Sequence, residues 1–286
     1  MILNQSFLRQ GIDSLVTFNP ICIHANTPLY ELLERLYCTG FHHWPVVDDH
    51  RNVVGIVSDI DIVRGAIKYR DTRRSLPTVR DEYCLPTSQV MQTTVKTLAS
   101  GGSSLEGLDI MLANEFHSLP VTQSGALWGM VTTTDYIREF AYSTHAARSA
   151  SIESLTDASP HFVDICASIE DVQQTMEANN LCYVIASQED CPLGVITAKD
   201  LRQFRCRLMA RSLFEGKPAE TAKAIDLIKT TSRLSPDATL GETASMMFEQ
   251  QISAVMVLPK GDSFCGVITQ EQVLKHLHQL ESSVAV

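Results

Sequence analysis

Three places in the chain set a hydroxyl residue three positions ahead of an aspartate, at the exit of an apolar, β-rich run: Ser58 with Asp61, Thr132 with Asp135, and Thr197 with Asp200. Each pair stands where a helix is expected to start, so free backbone N–H groups and the positive end of the helix dipole lie beside the hydroxyl. Such an end suits a phosphate. The same spacing serves a plainer purpose, because a Ser or Thr N-cap with an acidic N3 residue is a capping box. Taken singly, each pair reads as a helix cap. Recurrence shifts the balance towards a ligand role for the first two pairs.

The elements that position these pairs repeat as well. Aligned on a glycine, the copies read GIVSDID from Gly55, GMVTTTD from Gly129, GVITAKD from Gly194 and GVITQEQ from Gly266, with separations of 74, 65 and 72 residues. Before each glycine comes another β-rich run, as in Pro45-Val46-Val47, and before that an amphipathic helix with a hydroxyl residue at its start. Thr27 and Pro28 precede Leu29, Leu32, Leu33 and Leu36; Ser103 and Glu106 precede Leu108 and Leu112; Ser168 precedes Ile169, Val172 and Met176; Thr239 with Glu242 opens a helix whose apolar face is Leu240, Ala244 and Met247. The leading strands are expected at Cys22–His24, Val95–Thr97, Val163–Ile165 and Ser232–Leu234. The unit is strand, helix, strand, strand, helix, and four units fill the chain. One unit alone cannot bury its apolar faces. The fold class is therefore α/β (α+β), four β-α-β-β-α repeats paired into two pseudo-two-fold modules. The first module covers 1–145, with repeats at about 16–68 and 86–142, and the second covers 146–286, with repeats at about 152–206 and 221–278. The Ser/Ala-rich joint at 143–151 divides them and is read as extending the preceding helix by a turn.

Composition removes several function classes. A formal charge of −10 disfavours nucleic acid and anionic membranes as bulk partners. The longest stretch without formal charge, 116–134, carries Pro120, Ser124, Gly125 and four threonines, so no membrane insertion is expected. No signal peptide is read at the N-terminus, which points to a cytoplasmic location. Eight cysteines without a C-x-x-C pair are read as reduced and mostly packed. A catalytic metal at His42, His43, Asp48, Asp49, Asp59 and Asp61 is disfavoured, because Asp59 and Asp61 point apart on a helix and no H-x-x-x-H accompanies them. Trp44 and Trp128 are assigned to packing, His276 and His278 to the dipole of the last helix. The basic run Arg64, Lys68, Arg70, Arg73, Arg74 and Arg80 is read as a solvated linker.

Four copies of h-P-V-h-x(n)-G-h-h-[ST]-x-x-D, each behind a capped helix, resemble tandem CBS (cystathionine β-synthase) domains. The four-repeat layout is similar to the γ subunit of AMP-activated protein kinase. The resemblance implies two Bateman modules whose clefts take AMP, ADP, ATP or a related adenosyl ligand. It assigns phosphate to Ser58, Thr132 and Thr197, and the ribose diol to Asp61, Asp135 and Asp200. Lys199 falls where the family often carries a basic residue. The segments His42-His43-Trp44-Pro45 and His117-Ser118-Leu119-Pro120 look like the family's H-R-L-P segment, which makes His42 and His117 phosphate contacts, with His43 the weaker choice. The fourth copy departs at Gln272, and the proline is missing from copies three and four, so the first module is expected to hold the better sites.

The implied function is a non-catalytic, energy-sensing regulator. It needs no cofactor, takes an adenine nucleotide as regulatory ligand and signals to a separately encoded protein that the sequence does not name; a homodimer is among the arrangements it allows. Two other classes stay open: a dimerisation or interaction scaffold with vestigial clefts, and an enzyme such as a nucleotide hydrolase, for which no nucleophile or metal cluster is evident.

Overall fold

The computed structural model describes residues 6–39, 41–62, 64–65, 84–189, 191–215, 222–230, 232–258 and 266–283. Lys68, Arg70, Arg73, Arg74, Pro77, Arg80, Gly216, Pro218 and Cys265 lie outside them.

Four small mixed sheets carry the repeats, and each contains the same three strands. In the first, β2 (Ile23–His24) runs parallel to β3 (His43–Val47), which is antiparallel to β4 (Val53–Ser58). The second has β5 (Leu98–Ala99), β6 (Ser118–Gln123) and β7 (Ala126–Thr132); the third β8 (Phe162–Asp164), β9 (Tyr183–Gln188) and β10 (Cys191–Thr197). The fourth has β11 (Arg233–Leu234), β12 (Ala254–Val257) and β13 (Gly266–Thr269). Register is shared across all four. The pairs closing each hairpin are His43 with Ser58, Ser118 with Thr132, Tyr183 with Thr197 and Ala254 with Thr269. The leading strand of the second repeat lies at Leu98–Ala99, not at the expected Val95–Thr97, because Leu98 is the residue that buries its side chain opposite Val121.

Helices α1 (Leu29–Thr39), α2 (Ser104–Asn114), α4 (Ile169–Ala178) and α6 (Leu240–Glu249) join the leading and middle strands, while α3 (Thr133–Tyr142), α5 (Ala198–Glu215) and α7 (Gln270–Ser283) follow the hairpins. Residues 59–62, behind β4, are also helical. Capping follows the sequence for three of the first group. Ser103 Oγ accepts from Glu106 N at 3.0 Å, and Ser168 with Asp171 and Thr239 with Glu242 form reciprocal capping boxes. Thr27 does not cap α1. Its Oγ1 accepts from His24 N, and the first helical N–H, that of Leu29, donates instead to Leu85 O at 2.9 Å on the segment entering repeat two. The leucine stripe of α1 is wholly inside, Leu29, Leu32 and Leu33 at 0% exposure.

The segment ahead of each repeat does not stay with that repeat. Strand β1 (Thr17–Phe18), ahead of repeat one, pairs with β7 of repeat two, and Gln92, ahead of repeat two, pairs with Ile56 on β4. Repeats three and four make the same exchange: Asp157 pairs with Val267 on β13, and Ile228 and Thr230 lie against Gly194 on β10. This explains the glycine on which the four copies align. A Cβ on Gly55 would come within 2.6 Å of Met91 Sδ, one on Gly194 within 2.5 Å of Ile228 Cγ2, and Cβ atoms on Gly129 and Gly266 would meet Val16 and Asp157 closer still. Only a residue without a side chain lets the crossing segment lie this close to the strand.

Helix faces then join the pairs. Repeats two and four share one core, in which Leu8, Leu108 and Phe140 cluster with Leu240, Met247 and Leu277. Repeat three reaches repeat one through Cys206 of α5, fully buried in the cluster of Leu29, Leu32 and Trp44, with its thiol donating to Asp59 O at 3.5 Å. Trp44 is core, and Trp128 meets the crossing residue Phe18 edge-on at 4.7 Å. The joint at 143–151 corrects its expected extension of helix α3. Ser143 leaves the helical conformation at ψ 169° while its N–H closes the turn onto Glu139 O, and a separate 3-10 turn follows at Ala146–Ser149.

Candidate functional site

At each hairpin exit the backbone is tied in one way. The residue after Ser58, Thr132, Thr197 and Thr269 donates its N–H to the carbonyl of the residue just before the middle strand: Asp59 to His42 (3.1 Å), Thr133 to His117 (3.1 Å), Ala198 to Cys182 (2.8 Å) and Gln270 to Ser253 (2.9 Å). This bond brings each helix start against the strand entry of its own repeat. It makes His42, His117, Cys182 and Ser253 equivalent positions.

The three aspartates first serve the backbone. Asp61 Oδ2 accepts from Ser58 N at 2.8 Å and from Ser58 Oγ at 2.6 Å; Asp135 Oδ2 accepts from Thr132 N and Oγ1 at 2.9 and 2.7 Å; Asp200 Oδ2 accepts from Thr197 N and Oγ1 at 2.9 and 2.5 Å. All three are buried. One oxygen of each carboxylate is thus committed to the cap, and only Oδ1 remains for anything else. Its neighbours differ. Asp61 Oδ1 accepts from Gln92 Nε2 at 3.1 Å, and Asp135 Oδ1 pairs with Arg138 Nη1 at 2.9 Å. Asp200 Oδ1 faces Lys229 Nζ at 2.7 Å, an ion pair without hydrogen-bond alignment, since that oxygen has no hydrogen-bond donor and the lysine donates to Gln203 Oε1 at 2.9 Å.

Open space lies beside the third aspartate. A narrow cleft of about 10 Å³ is lined by Asp200, Lys229, Thr230 and Ser232 from one side and Ile252 and Ser253 of repeat four from the other. It belongs to the second pair of repeats, whereas the sequence favours the first.

Imidazole and cationic groups from three repeats gather near these exits. His43 feels the charges of Asp59, His117, His42 and Lys199; burial dominates and pushes its pKa down to about 4. His117, though its surface is largely open, is also lowered, by desolvation first and then by Arg202 and Lys199. Burial and the neighbouring Lys229 lower Lys199, against the pull of Asp200 and Asp59. Burial raises the pKa of Asp59, but the hydrogen bond and charge of His42, with His43 and Arg202, hold its carboxyl below the ordinary range. His42 Nδ1 lies 3.2 Å from Asp59 Oδ2. The structure therefore brings His42, His43, His117 and Lys199 into one electrostatic neighbourhood.

Sequence reasoning does not find Gln92, Arg202 or Lys229. Arg138 was open to it as the i+3 partner of Asp135, but Gln92 and Lys229 arrive on crossing segments and carry no local signal. The cysteines correct their reading as mostly packed: Cys38, Cys84, Cys166, Cys182 and Cys191 are exposed, on helix ends, turns and strand entries, and Cys206 is the buried one among those described. His278 does more than face the dipole of its helix, for its Nε2 contacts Asp109 of repeat two. Among the described residues no group of three or more His, Cys, Asp or Glu side chains could hold a metal ion. No described helix is long and apolar enough to cross a membrane.

Comparison with known proteins agrees with this geometry. MJ1225 of Methanocaldococcus jannaschii, uncharacterised, is 20% identical over 209 residues, 69% of this chain and 70% of that protein. MJ1404 of the same organism, also uncharacterised, is 21% identical over 288 residues, 98% of this chain and 64% of that protein, so the chain spans about two-thirds of the length of these relatives. The crystal structure of MJ1225, described as a candidate archaeal homologue of g-AMPK, superposes with a TM-score of 0.73 at 18% identity, covering 93% of this chain and 99% of that one. An uncharacterised conserved protein of Pyrococcus horikoshii gives 0.62 at 18% identity, with the same coverage. The sequence pattern of the CBS domain matches residues 12–68, 88–142 and 226–279. The matched stretches leave out repeat three, whose Tyr183–Thr197 register nevertheless repeats that of the others. With more than half of its length matched and one register running through all four repeats, the chain belongs to the CBS domain family.

Proposed function

We propose that the chain is a non-catalytic ligand sensor that binds an adenosine-type nucleotide (AMP, ADP, ATP or a related adenosyl compound) between paired repeats. In this reading repeats one and two form one Bateman module (1–145) and repeats three and four the other (146–286). Ribose hydroxyls reach Oδ1 of Asp61, Asp135 or Asp200. Phosphates lie towards the helix starts at Ser58, Thr132 and Thr197, and towards His42, His43, His117, Lys199 and Arg202. The observation that carries the reading is Asp200, a buried carboxylate that lines a cleft between repeats three and four, with one oxygen held by the cap and the other facing Lys229 Nζ at 2.7 Å. The likeness to MJ1225, described as a candidate homologue of g-AMPK, adds weight to this ligand class.

A ligand held between two repeats fixes their relative orientation, and a partner protein reads that change. The test is a thermal-shift panel of adenosine nucleotides on verified ligand-free protein. At a hundred times its Kd a ligand adds about 2.7 kcal/mol of stability. No shift with any adenosyl compound sinks the reading.

The scaffold alternative has two observations in its favour. In repeat four Gln272 replaces the aspartate, and in repeat three the position of His43 is taken by Tyr183, whose hydroxyl donates to Asp157 on the crossing segment.

A further inference from the structure

The three carboxylates that share one cap geometry are guarded by three different groups, and the guard at Asp200 is of another kind. Gln92 donates a neutral amide to Asp61 Oδ1, and Arg138 pairs with Asp135 from its own helix. Lys229 comes from the segment leading into repeat four, sets a full charge 2.7 Å from Asp200 Oδ1, and is anchored by donating to Gln203 Oε1 one turn further along α5. Its side chain is 29% exposed while that of Asp200 is 8% exposed, so the charge pair sits where screening by solvent is weak. Both residues line the same cleft. A ribose diol can reach Oδ1 only where the ammonium now stands.

We infer that Lys229 is a built-in competitor for the ribose diol, a specificity-determining residue that keeps the Asp200 cleft closed to weakly held nucleosides. The inference rests on the proposed adenosyl-binding function and deepens it. Entry of a diol exchanges an ion pair for two neutral-donor hydrogen bonds. Only a ligand with further contacts, such as phosphates near Lys199 and Thr197, compensates the loss. The freed Lys229 then releases the segment of repeat four from helix α5 of repeat three. In the first pair of repeats Gln92 holds the corresponding place beside Asp61 with a neutral amide, and the cation beside Asp135, Arg138, comes from the same helix and not from a crossing segment.

The experiment uses adenosine, which has the diol and no phosphate, and 2′,3′-dideoxyadenosine, which has neither. Both are titrated calorimetrically into the full chain carrying Asp61→Asn and Asp135→Asn, so that Asp200 is the remaining ribose carboxylate. Lys229→Gln, which installs the amide found at Asp61, is expected to tighten adenosine about tenfold, or about 1.4 kcal/mol, and to leave the dideoxy compound unchanged. Lys229→Met serves as the second variant should the glutamine disturb folding. The converse change, Gln92→Lys with Asp61 intact, is expected to weaken adenosine at the first pair. Raising salt should tighten adenosine in the chain that keeps Lys229 and not in Lys229→Gln, because salt weakens the ion pair. Unchanged or weaker adenosine binding in both Lys229 variants overturns the competitor while leaving the adenosyl reading intact. Failure of AMP, ADP and ATP as well as adenosine to bind the unmutated chain overturns both.

Discussion

Gln272 Oε1 accepts from Thr269 N at 2.7 Å and from Thr269 Oγ1 at 3.0 Å, the same two donors that Asp200 Oδ2 takes from Thr197. The fourth copy has lost the carboxylate and kept the cap. Capping and ligand recognition are thus separable within a single side chain, and substitutions can pull them apart.

At Asp61 the separation is direct. Asp61→Asn retains a carbonyl oxygen for Ser58, and Gln92 can turn its amide to meet the new donor, so stability should change by no more than about 1 kcal/mol. Asp61→Ala removes the cap partner as well and should cost about 1 to 2 kcal/mol. Both should weaken an adenosyl ligand at that cleft by about 1.5 to 3 kcal/mol, since bonds to a charged acceptor are lost. Urea denaturation beside calorimetric titration reads the two effects. Equal stability loss in both variants would contradict the division of roles between the two oxygens.

The aligned glycines make a prediction about assembly. Gly129→Ala places a Cβ against Val16 and the Thr17 carbonyl, which must move. A loss of about 1 to 3 kcal/mol is expected, with faster amide exchange at Thr17 and Phe18 as β1 lifts from β7. An alanine at Gly101, with nothing within 4 Å of its Cβ but a φ of +84°, should instead cost only local backbone strain.

Acid should destabilise the chain through His43. Its folded pKa of about 4 lies below the unfolded value of 6.5, so the folded imidazole stays neutral while the unfolded chain takes up a proton as pH falls. Stability is therefore full above pH 6.5 and is lost progressively down to about pH 4, by up to about 3 kcal/mol. Asp59 acts in the same sense at lower pH, because a carboxyl held below its ordinary range gives up its stabilisation as it protonates. His43→Gln should flatten the decline between pH 6.5 and 4 while leaving the lower part in place. Urea midpoints across that range are the measurement.

The same imidazoles predict proton-linked binding. Folding leaves His43 and His117 harder to protonate than free histidine, and an arriving phosphate reverses that bias. AMP should therefore bind more tightly at pH 6 than at pH 8, with proton uptake visible as a dependence of binding heat on buffer ionisation enthalpy. Adenosine should show neither effect. Equal pH slopes for the two ligands would remove these histidines from the phosphate path.

Much of the fold could be read from residues because its signals are local. The stripe Leu29, Leu32, Leu33 and Leu36 announces α1, and Thr239 with Glu242 announces the start of α6, since both depend on neighbours three or four positions away. The aspartate caps were legible for the same reason. What escaped the sequence depends on distant chain. Leu85 replaces Thr27 as the partner of the first α1 amide, and Gln92 and Lys229 reach their carboxylates from segments whose own neighbours say nothing of it. Even the shared glycine could be aligned but not explained until the crossing segment was in view.

That crossing bears on how such a chain can be cut, permuted or copied. A lone repeat would carry a strand whose outer edge is bare and a forward segment with nothing to lie on, so genetic gain or loss has to proceed two repeats at a time. Residues 6–142 and 152–283 each retain both halves of an exchange. The shared core of Leu8 and Phe140 with Leu240 and Leu277 would leave even those pieces with an adhesive face, prone to meet another copy of themselves.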